Sequence, residues 1–172
     1  MRIYLLGYMG SGKSTVGEKL ARALGVPWID MDTEIESKYK ISIAGFFSKY
    51  GETAFREVEH KILADIALMP EAVISTGGGA PCFHNNMELM NASGITIYLE
   101  ISPETILARI GPHAHKRPLF QQMNGDDILQ KITTHLGTRE KYYRQAQMTI
   151  DGTDPDIDAL QNRIMNFRPA MP

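Results

Sequence analysis

A glycine-rich segment near the start of the chain has the residue types and spacing of a loop that binds phosphate groups. Residues 7–14 read Gly-Tyr-Met-Gly-Ser-Gly-Lys-Ser and satisfy the pattern G-x-x-x-x-G-K-[ST] at every fixed position. Glycines let the backbone curl until successive N–H groups converge on a phosphate, and the positive end of a following helix strengthens the attraction. Lys13 can neutralise the phosphoryl oxygens, and the Ser14 hydroxyl can ligate Mg²⁺. The segment predicts a nucleoside triphosphate site and leaves the use of the nucleotide open.

Two aspartates, Asp30 and Asp32, follow the second apolar segment of the chain. In an extended chain, residues two apart point to the same side, so both carboxylates would face one region at the end of a strand. One could reach the ligand shell of a Mg²⁺ ion while the other accepts the proton of a hydroxyl group. The spacing is equally consistent with Asp32 capping the helix that follows, and it does not decide between these roles.

Three consecutive glycines, Gly77, Gly78 and Gly79, follow the third apolar segment. They allow the backbone to approach a ligand closely at a place where any side chain would obstruct it. A flexible turn is the alternative, but turns seldom need three glycines. We expect this segment to contact a bound molecule through its backbone.

A further candidate is the pair Arg56 and Glu59, which are three residues apart and therefore neighbours on a predicted helix. A carboxylate beside the guanidinium would fix its fork for bidentate recognition of a ligand carboxylate. The spacing alone instead favours a surface ion pair, which contributes little to stability.

Other arginines lie around a polar segment, residues 111–124, which has no apolar periodicity and predicts an exposed, mobile lid. Arg117 lies within this segment and could close over a transferring phosphoryl group while water is excluded. Arg109 ends the helix before it. Arg139 lies in the helix after it, where an exposed helix charge is the alternative interpretation.

The elements that must position these residues are predicted by an alternation of apolar and helical segments along the whole chain. Apolar runs predict strands at 2–6, 26–29, 72–76, 95–99 and 148–150. Parallel strands need long crossovers, and near-continuous apolar strands are typical of burial on both faces. The predicted fold class is α/β: a doubly wound parallel sheet of about five strands with helices on both faces and a mobile lid loop. Ligands bind at the carboxyl ends of such strands, which is where the motifs fall.

Helices are predicted between the strands from apolar residues at helical spacing. Helical spacing extends from Asp32 to about Leu68 in at least two pieces, with a break near Gly45 or at Gly51. Ser102 is a predicted N-cap for the helix that carries Arg109. Other helices are predicted over 13–24, 84–92, 126–146 and 156–166.

Composition and charge limit the class of protein. A length of 172 residues fits one domain, and 43% hydrophobic with 22% charged residues is ordinary for a soluble globular protein. No stretch approaches the roughly 18 apolar residues of a membrane helix. The net charge of −2 gives no sign of nucleic acid or anionic membrane as a partner. The single cysteine, Cys82, is consistent with a reducing cytosol.

Taken in order, the motifs resemble those of the shikimate kinase family, which are small P-loop kinases of the nucleoside-monophosphate-kinase type. The phosphate loop is shared by many families. The more specific motifs are Asp30-Met31-Asp32, Phe47-x-x-x-Gly51-Glu52-x-x-Phe55-Arg56-x-x-Glu59, Thr76-Gly77-Gly78-Gly79-Ala80, Arg117-Pro118-Leu119, and Arg139 followed by Tyr143. The resemblance extends from Ile3 to about Pro155.

The resemblance implies one P-loop kinase domain over residues 1–172 that phosphorylates the 3-hydroxyl of shikimate, a step toward chorismate and the aromatic amino acids. It implies a substrate-binding helical part at about 32–60 and a lid at about 111–124. ATP would be the co-substrate and Mg²⁺ the metal. The expected protein is a cytoplasmic monomer that binds neither nucleic acid nor membrane.

The resemblance also implies roles for single residues. Catalysis would depend on Lys13, Asp32 and Arg117, with Asp32 orienting or deprotonating the attacking hydroxyl. Shikimate would be held by Asp32, Arg56, Gly77, Gly78, Gly79 and Arg139, with Glu59 steadying Arg56. ATP would be bound by Gly10, Ser11, Gly12, Lys13, Ser14, Thr15, Arg109, Arg117 and Asp156. Mg²⁺ would be bound by Ser14 and Asp30.

Two other functions remain open. Another small-molecule kinase of the same fold, of gluconate or nucleotide type, would share the phosphate loop. An uncharged polyol needs no arginine pair, however, and a nucleotide needs a larger pocket. The second is a non-catalytic nucleotide-binding switch. A guanine-specific switch would carry Asn-Lys-x-Asp and Asp-x-x-Gly elements, and neither string occurs in the chain.

Overall fold

The computed structural model describes residues 1–112, 120 and 123–167. The five predicted strands are confirmed, although β2 begins at Trp28 rather than Val26, and the last long helix ends at Tyr143 rather than Ala146. In chain order the elements are β1 Arg2–Leu6, α1 Lys13–Leu24, β2 Trp28–Asp30, α2 Met31–Tyr39, α3 Ile43–Ala67, β3 Ala72–Ser75, a 3-10 turn Ala80–Cys82, α4 Asn86–Ser93, β4 Ile95–Glu100, α5 Pro103–Ile110, α6 Gly125–Tyr143, β5 Met148–Asp151 and α7 Ile157–Met165.

The strands form one parallel sheet in the order β2-β3-β1-β4-β5. Alternate residues of the central strand β1 enter different cores, as the two-residue period of a strand requires. Ile3 and Leu5 pack with apolar residues of α1 and α7, whereas Tyr4 and Leu6 pack with residues of α3, α4 and α6. Helices therefore cover both faces, and the predicted doubly wound α/β class is confirmed.

The segment between β1 and α1 curls back on itself at the carboxyl end of the sheet. Gly10 and Gly12 have φ angles of 79° and 95°, a left-handed conformation that residues with a Cβ rarely adopt. The Ser11 N–H donates to the Tyr8 carbonyl over 3.1 Å, which closes the turn. Because α1 begins at Lys13, its positive N-terminal end faces the interior of the loop.

The helical stretch after β2 is broken at two places. At Lys40 (φ 55°) α2 ends, and the Ser42 side chain then accepts the Gly45 N–H over 3.1 Å to begin α3. Gly51 has φ 79° and ψ 173° and interrupts α3. The break predicted at Gly51 is confirmed. The alternative near Gly45 is confirmed in part, because a second break lies just before it, between Tyr39 and Ile43, while Gly45 itself lies in the first turn of α3.

The predicted lid falls between α5 and α6. The Ser102 side chain accepts the Thr105 N–H over 3.2 Å and begins α5, as predicted, and Asn124 caps α6. Arg117 and most of the predicted lid lie outside the described residues. Among the residues that are described, no helix has both the length and the apolar character needed to cross a bilayer.

Candidate active site

The phosphate loop forms one wall of a cavity of about 450 Å³. The Lys13 ammonium lies inside the curl of the loop, where it donates to the carbonyls of Gly7 and Tyr8 over 2.8 and 2.9 Å. The cavity is lined by Gly10, Gly12, Lys13, Ser14, Thr15, Val16, Lys19, Arg109, Gly152, Thr153, Asp154, Pro155 and Ile157. A loop of backbone amides, a lysine and a helix N-terminus is the arrangement that binds a polyphosphate.

Arg109 joins the two walls of this cavity. Its Nη1 donates to the carbonyls of Gly10 and Ser11 over 3.2 and 3.1 Å. Its Nη2 donates to the carbonyls of Gly152 and Thr153 over 3.0 and 2.6 Å. The structure therefore places Arg109 at the cavity beside the phosphate loop and adds a role that the sequence did not predict, because its planar fork ties the phosphate loop to the segment after β5.

Two residues predicted to bind ATP have side chains directed elsewhere. The Asp156 carboxylate accepts the Ala159 N–H over 3.0 Å and caps α7. The Ser11 hydroxyl is fully buried beneath the loop, and within the described part of the chain it has no hydrogen-bond partner. Ser11 can reach a nucleotide only through its backbone.

Ser14 and Asp30 meet at the mouth of the loop. The Ser14 hydroxyl donates to Asp30 Oδ2 over 2.8 Å, while Asp30 Oδ1 accepts the N–H groups of Asp32 and Thr33 over 3.1 and 3.3 Å. Asp30 thus caps α2, and the expectation of an extended Asp30–Asp32 segment is wrong, because α2 begins at Met31. A hydroxyl and a carboxylate are hard oxygen donors that fit Mg²⁺, which keeps most of its shell as water and phosphate oxygens.

Asp32 faces the glycine turn that follows β3. A Cβ added to Gly77 would lie 3.1 Å from Asp32 Oδ1 and 2.7 Å from Glu59 Oε1, so both carboxylates adjoin this turn. Asp32 is open to solvent on one side, and protein atoms crowd its carboxylate elsewhere. This desolvation, followed by the negative charge of Asp30, raises the pKa of Asp32, which Lys13 opposes. A raised pKa makes the carboxylate a better proton acceptor.

Arg56 and Glu59 form a buried ion pair. Arg56 is 7% exposed and Glu59 only 1%, and Nη1 donates to Glu59 Oε2 over 2.7 Å. The other side of the guanidinium donates to Glu52 over 2.9 Å. Burial raises the pKa of Glu59, and the adjacent Arg56 opposes this shift. The surface ion pair that the spacing favoured is therefore wrong, and Arg56 is held in one orientation.

Aromatic rings and a glycine complete the surroundings of Arg56. Its Cζ lies 4.2 Å from the ring centroid of Phe83, 5.2 Å from that of Phe55 and 5.7 Å from that of Phe47. These faces favour a flat, delocalised cation. A Cβ added to Gly79 would lie 2.6 Å from both terminal nitrogens of the guanidinium, so this glycine is required by close approach. Phe83 belongs to none of the sequence motifs, and spacing provides no signal that would have identified it.

Arg139 approaches the same glycine turn from α6. A Cβ added to Gly78 would lie 3.7 Å from Arg139 Nη1 and 3.4 Å from the Met9 nitrogen of the phosphate loop. The Tyr143 hydroxyl, one helical turn beyond Arg139, donates to the Gly78 carbonyl over 2.5 Å. Arg139 is half-buried, so the exposed helix charge considered above is wrong. Two guanidinium groups therefore flank a glycine turn that adjoins the phosphate loop.

Comparisons with known proteins converge on one family. The family model of shikimate kinase matches residues 9–168. A shikimate kinase of Parabacteroides distasonis is 41% identical over 170 residues, which cover 96% of this chain and 98% of that protein. A crystal structure of shikimate kinase from Bacteroides thetaiotaomicron has a TM-score of 0.89 at 38% identity and covers 96% of each chain. Shikimate kinase from Acinetobacter baumannii in complex with shikimate has a TM-score of 0.84 at 36% identity and covers 95% of this chain and 90% of that one. Because the family model spans most of the chain and the relatives match it over nearly their whole length, this chain belongs to the shikimate kinase family.

Proposed function

We propose that the protein transfers the γ-phosphoryl group of ATP to the 3-hydroxyl of shikimate. The observation that carries this proposal is the approach of Arg56 and Arg139 to one glycine turn from two different helices. Two guanidinium groups suit a planar carboxylate, and the phosphate loop adjoins the same turn. A small carboxylic acid bound there would present its ring hydroxyls toward Asp32 and the phosphates.

At the phosphate end of the cleft, positioning and electrostatic stabilisation are the main requirements of the reaction. The backbone amides of the loop and the N-terminus of α1 would hold the phosphates, and Lys13 would neutralise charge that develops on the transferred group. Mg²⁺, when bound, supplies further neutralisation of the phosphate oxygens. Ser14 and Asp30 are the residues we propose to hold it.

At the acceptor end, we assign two roles to Asp32. Its carboxylate would fix the attacking hydroxyl and accept its proton, and the crowding that raises its pKa supports this assignment. The helices around residues 32–60 form the proposed substrate-binding part. Arg117 in the predicted lid, residues 111–124, remains a sequence-based assignment to the transferring phosphoryl group.

The nucleotide base would lie beside Arg109 and the segment that follows β5. The four carbonyl contacts of Arg109 fix this segment against the phosphate loop and so define the width of the cavity. We further propose that the protein is a cytoplasmic monomer. The thiol of Cys82, which is half-buried and free, is consistent with a reducing compartment.

The proposal is tested by a coupled assay of ADP release with Mg-ATP, in which shikimate, gluconate, AMP and CMP are offered in parallel. Turnover on shikimate alone is expected. Turnover on gluconate or a nucleotide would leave the assignment of the phosphate loop to ATP intact, but it would overturn the assignment of Arg56 and Arg139 to a substrate carboxylate. ATP binding without turnover on any acceptor would favour a nucleotide-dependent switch.

A matched pair of variants on α6 tests the acid-binding assignment. Arg139→Ala is expected to raise the KM for shikimate far more than the KM for ATP, because Arg139 is assigned to the acceptor carboxylate and not to the nucleotide. Arg144→Ala makes the same chemical change one turn later, where the side chain is exposed and paired with Glu100 and Glu140. Equal effects of Arg139→Ala on both substrates would contradict the assignment.

A further inference from the structure

A hydrogen bond joins the phosphate loop to the helix that carries Arg139. Tyr8 directly follows the first glycine of the loop and is 1% exposed. Its hydroxyl lies 2.9 Å from Nδ1 of His135 on α6, and the two rings meet edge to face with centroids 5.6 Å apart. The sequence analysis assigned no role to either residue.

Tyr8 also contacts both ends of the proposed cleft. Its carbonyl accepts the Lys13 ammonium over 2.9 Å. The face of its ring lies under Arg139, whose Cζ is 5.8 Å from the ring centroid. His135 and Arg139 are four residues apart and share one face of α6. One side chain, Tyr8, is thus held by His135 while it supports the neighbouring guanidinium.

We propose that Tyr8 and His135 are positioning residues for the carboxylate of the acceptor. The hydrogen bond between them fixes the ring of Tyr8, and the ring fixes the guanidinium of Arg139 relative to the phosphate loop. This inference rests on the proposed function, because it takes Arg139 as the group that binds the acceptor carboxylate.

Burial and the charges around His135 keep its imidazole neutral at neutral pH. Burial lowers the pKa of His135 to about 4, and the cations of Arg139 and Lys131 on α6 and of Arg56 on α3 act in the same direction, opposed by Glu52. A neutral imidazole can accept at Nδ1, whereas an imidazolium has donors at both nitrogens. With the imidazole neutral, we assign its proton to Nε2, so that Nδ1 accepts from the Tyr8 hydroxyl and no further cation is added beside Arg56 and Arg139.

Three variants test the proposal by steady-state kinetics with shikimate and ATP. Tyr8→Phe removes the donor and keeps the ring. His135→Gln is expected to misplace the acceptor, whereas His135→Asn sets an amide oxygen at about the position of Nδ1. Tyr8→Phe and His135→Gln should raise the KM for shikimate about tenfold, as loss of one hydrogen bond in a desolvated site allows. The KM for ATP should change less than about twofold, and His135→Asn should restore the wild-type value. Thr134→Ala, an exposed change on the same helix, is the control.

Several outcomes would overturn the inference. These are unchanged kinetics in Tyr8→Phe, equal effects on both substrates, or His135→Gln as active as His135→Asn. An NMR titration gives a readout that does not need turnover: the His135 ring should titrate near pH 4, and its pKa should shift in Tyr8→Phe because the hydrogen-bond partner of Nδ1 is lost. An unchanged pKa counts against the hydrogen bond. A wild-type protein that fails to phosphorylate shikimate would overturn the proposed function, and an active wild type with unaltered variants would overturn this inference alone.

Discussion

Adding one methyl group at Gly79 is expected to disable the proposed acid-binding site while leaving the backbone unstrained. Gly79 has φ −93° and ψ −20°, a conformation that alanine adopts readily. The new Cβ would lie 2.6 Å from both terminal nitrogens of Arg56 and 2.8 Å from its Cζ. The guanidinium cannot move aside easily. Its Nη1 donates to Glu59 Oε2 over 2.7 Å, and its Cζ lies 4.2 Å from the ring centroid of Phe83.

The size of the effect follows from the displacement. An unstrained contact needs about 3.4 Å, so the guanidinium must retreat by roughly 0.8 Å. A misplacement of about 1 Å can cost on the order of a hundredfold in catalysis. We therefore expect kcat/KM for shikimate to fall about a hundredfold in Gly79→Ala, which corresponds to about 2.7 kcal/mol. Overpacking beside the buried pair should lower the free energy of unfolding by about 1–3 kcal/mol.

The assay is coupled ADP release together with urea unfolding, and Gly137→Ala is the matched control. Gly137 lies in α6, and a Cβ there would meet nothing within 4 Å. Gly137→Ala should keep full activity and gain about 0.5–1 kcal/mol of stability, because alanine is the better helix former. Comparison of Gly79→Ala with Gly137→Ala separates the steric clash with Arg56 from the general effect of replacing glycine by alanine.

A double variant identifies the collision partner. If the methyl acts through Arg56, then Gly79→Ala should cost little further activity in a protein that already carries Arg56→Ala. A full hundredfold loss in that background would refute the reasoning, as would wild-type activity in Gly79→Ala alone.

Three further predictions concern other parts of the site. Burial and the charge of Asp30 raise the pKa of Asp32, so kcat/KM should fall with decreasing pH, and the pKa of this fall should lie above the usual value of about 4. Asp32→Asn should lower turnover by about 10²–10⁴-fold. The raised pKa also means that the ionised carboxylate destabilises the fold above that pKa, so thermal unfolding should show Asp32→Asn gaining stability at neutral pH and less in acid. Arg109→Gln should raise the KM for ATP about tenfold with little change in the KM for shikimate, because the carbonyl contacts of Arg109 join the two walls of the proposed nucleotide cavity. Equal changes in the two KM values would contradict this. Ser11→Ala should change the KM for ATP by less than about twofold and should unfold at an equal or higher urea concentration, because the lost hydroxyl is buried without a partner among the described residues. A large rise in this KM would show that the hydroxyl is used.

The sequence by itself determined the fold class and the strand ends at which the candidate ligand-binding motifs lie. Apolar runs separated by helical segments specify parallel strands, and the motifs follow those strands. The phosphate loop is a local structure, so eight contiguous residues predict it together with the helix that follows. The break at Gly51 was predictable for the same local reason, because glycine readily adopts the positive φ found there.

Only the tertiary structure decided how side chains from distant segments meet. The spacing of Arg56 and Glu59 is the same for a surface pair and a buried one, and the packing of α3 against the glycine turn makes it buried. Capping decided the roles of two acids: Asp30 caps α2, and Asp156 caps α7 and does not line the cavity. Sequence spacing reports neighbours within one helix or strand, whereas burial and contact between elements depend on how the sheet brings their ends together.

The contact between Tyr8 and His135 is the clearest example. The two residues are 127 positions apart in the chain, and neither belongs to a motif that specifies the other. They meet because β1 is the central strand and α6 packs beside its carboxyl end, which brings the phosphate loop against the helix that carries Arg139. The sequence thus indicated which side chains could take part in the chemistry. The distances between those side chains were set by the order of the strands and the packing of the helices.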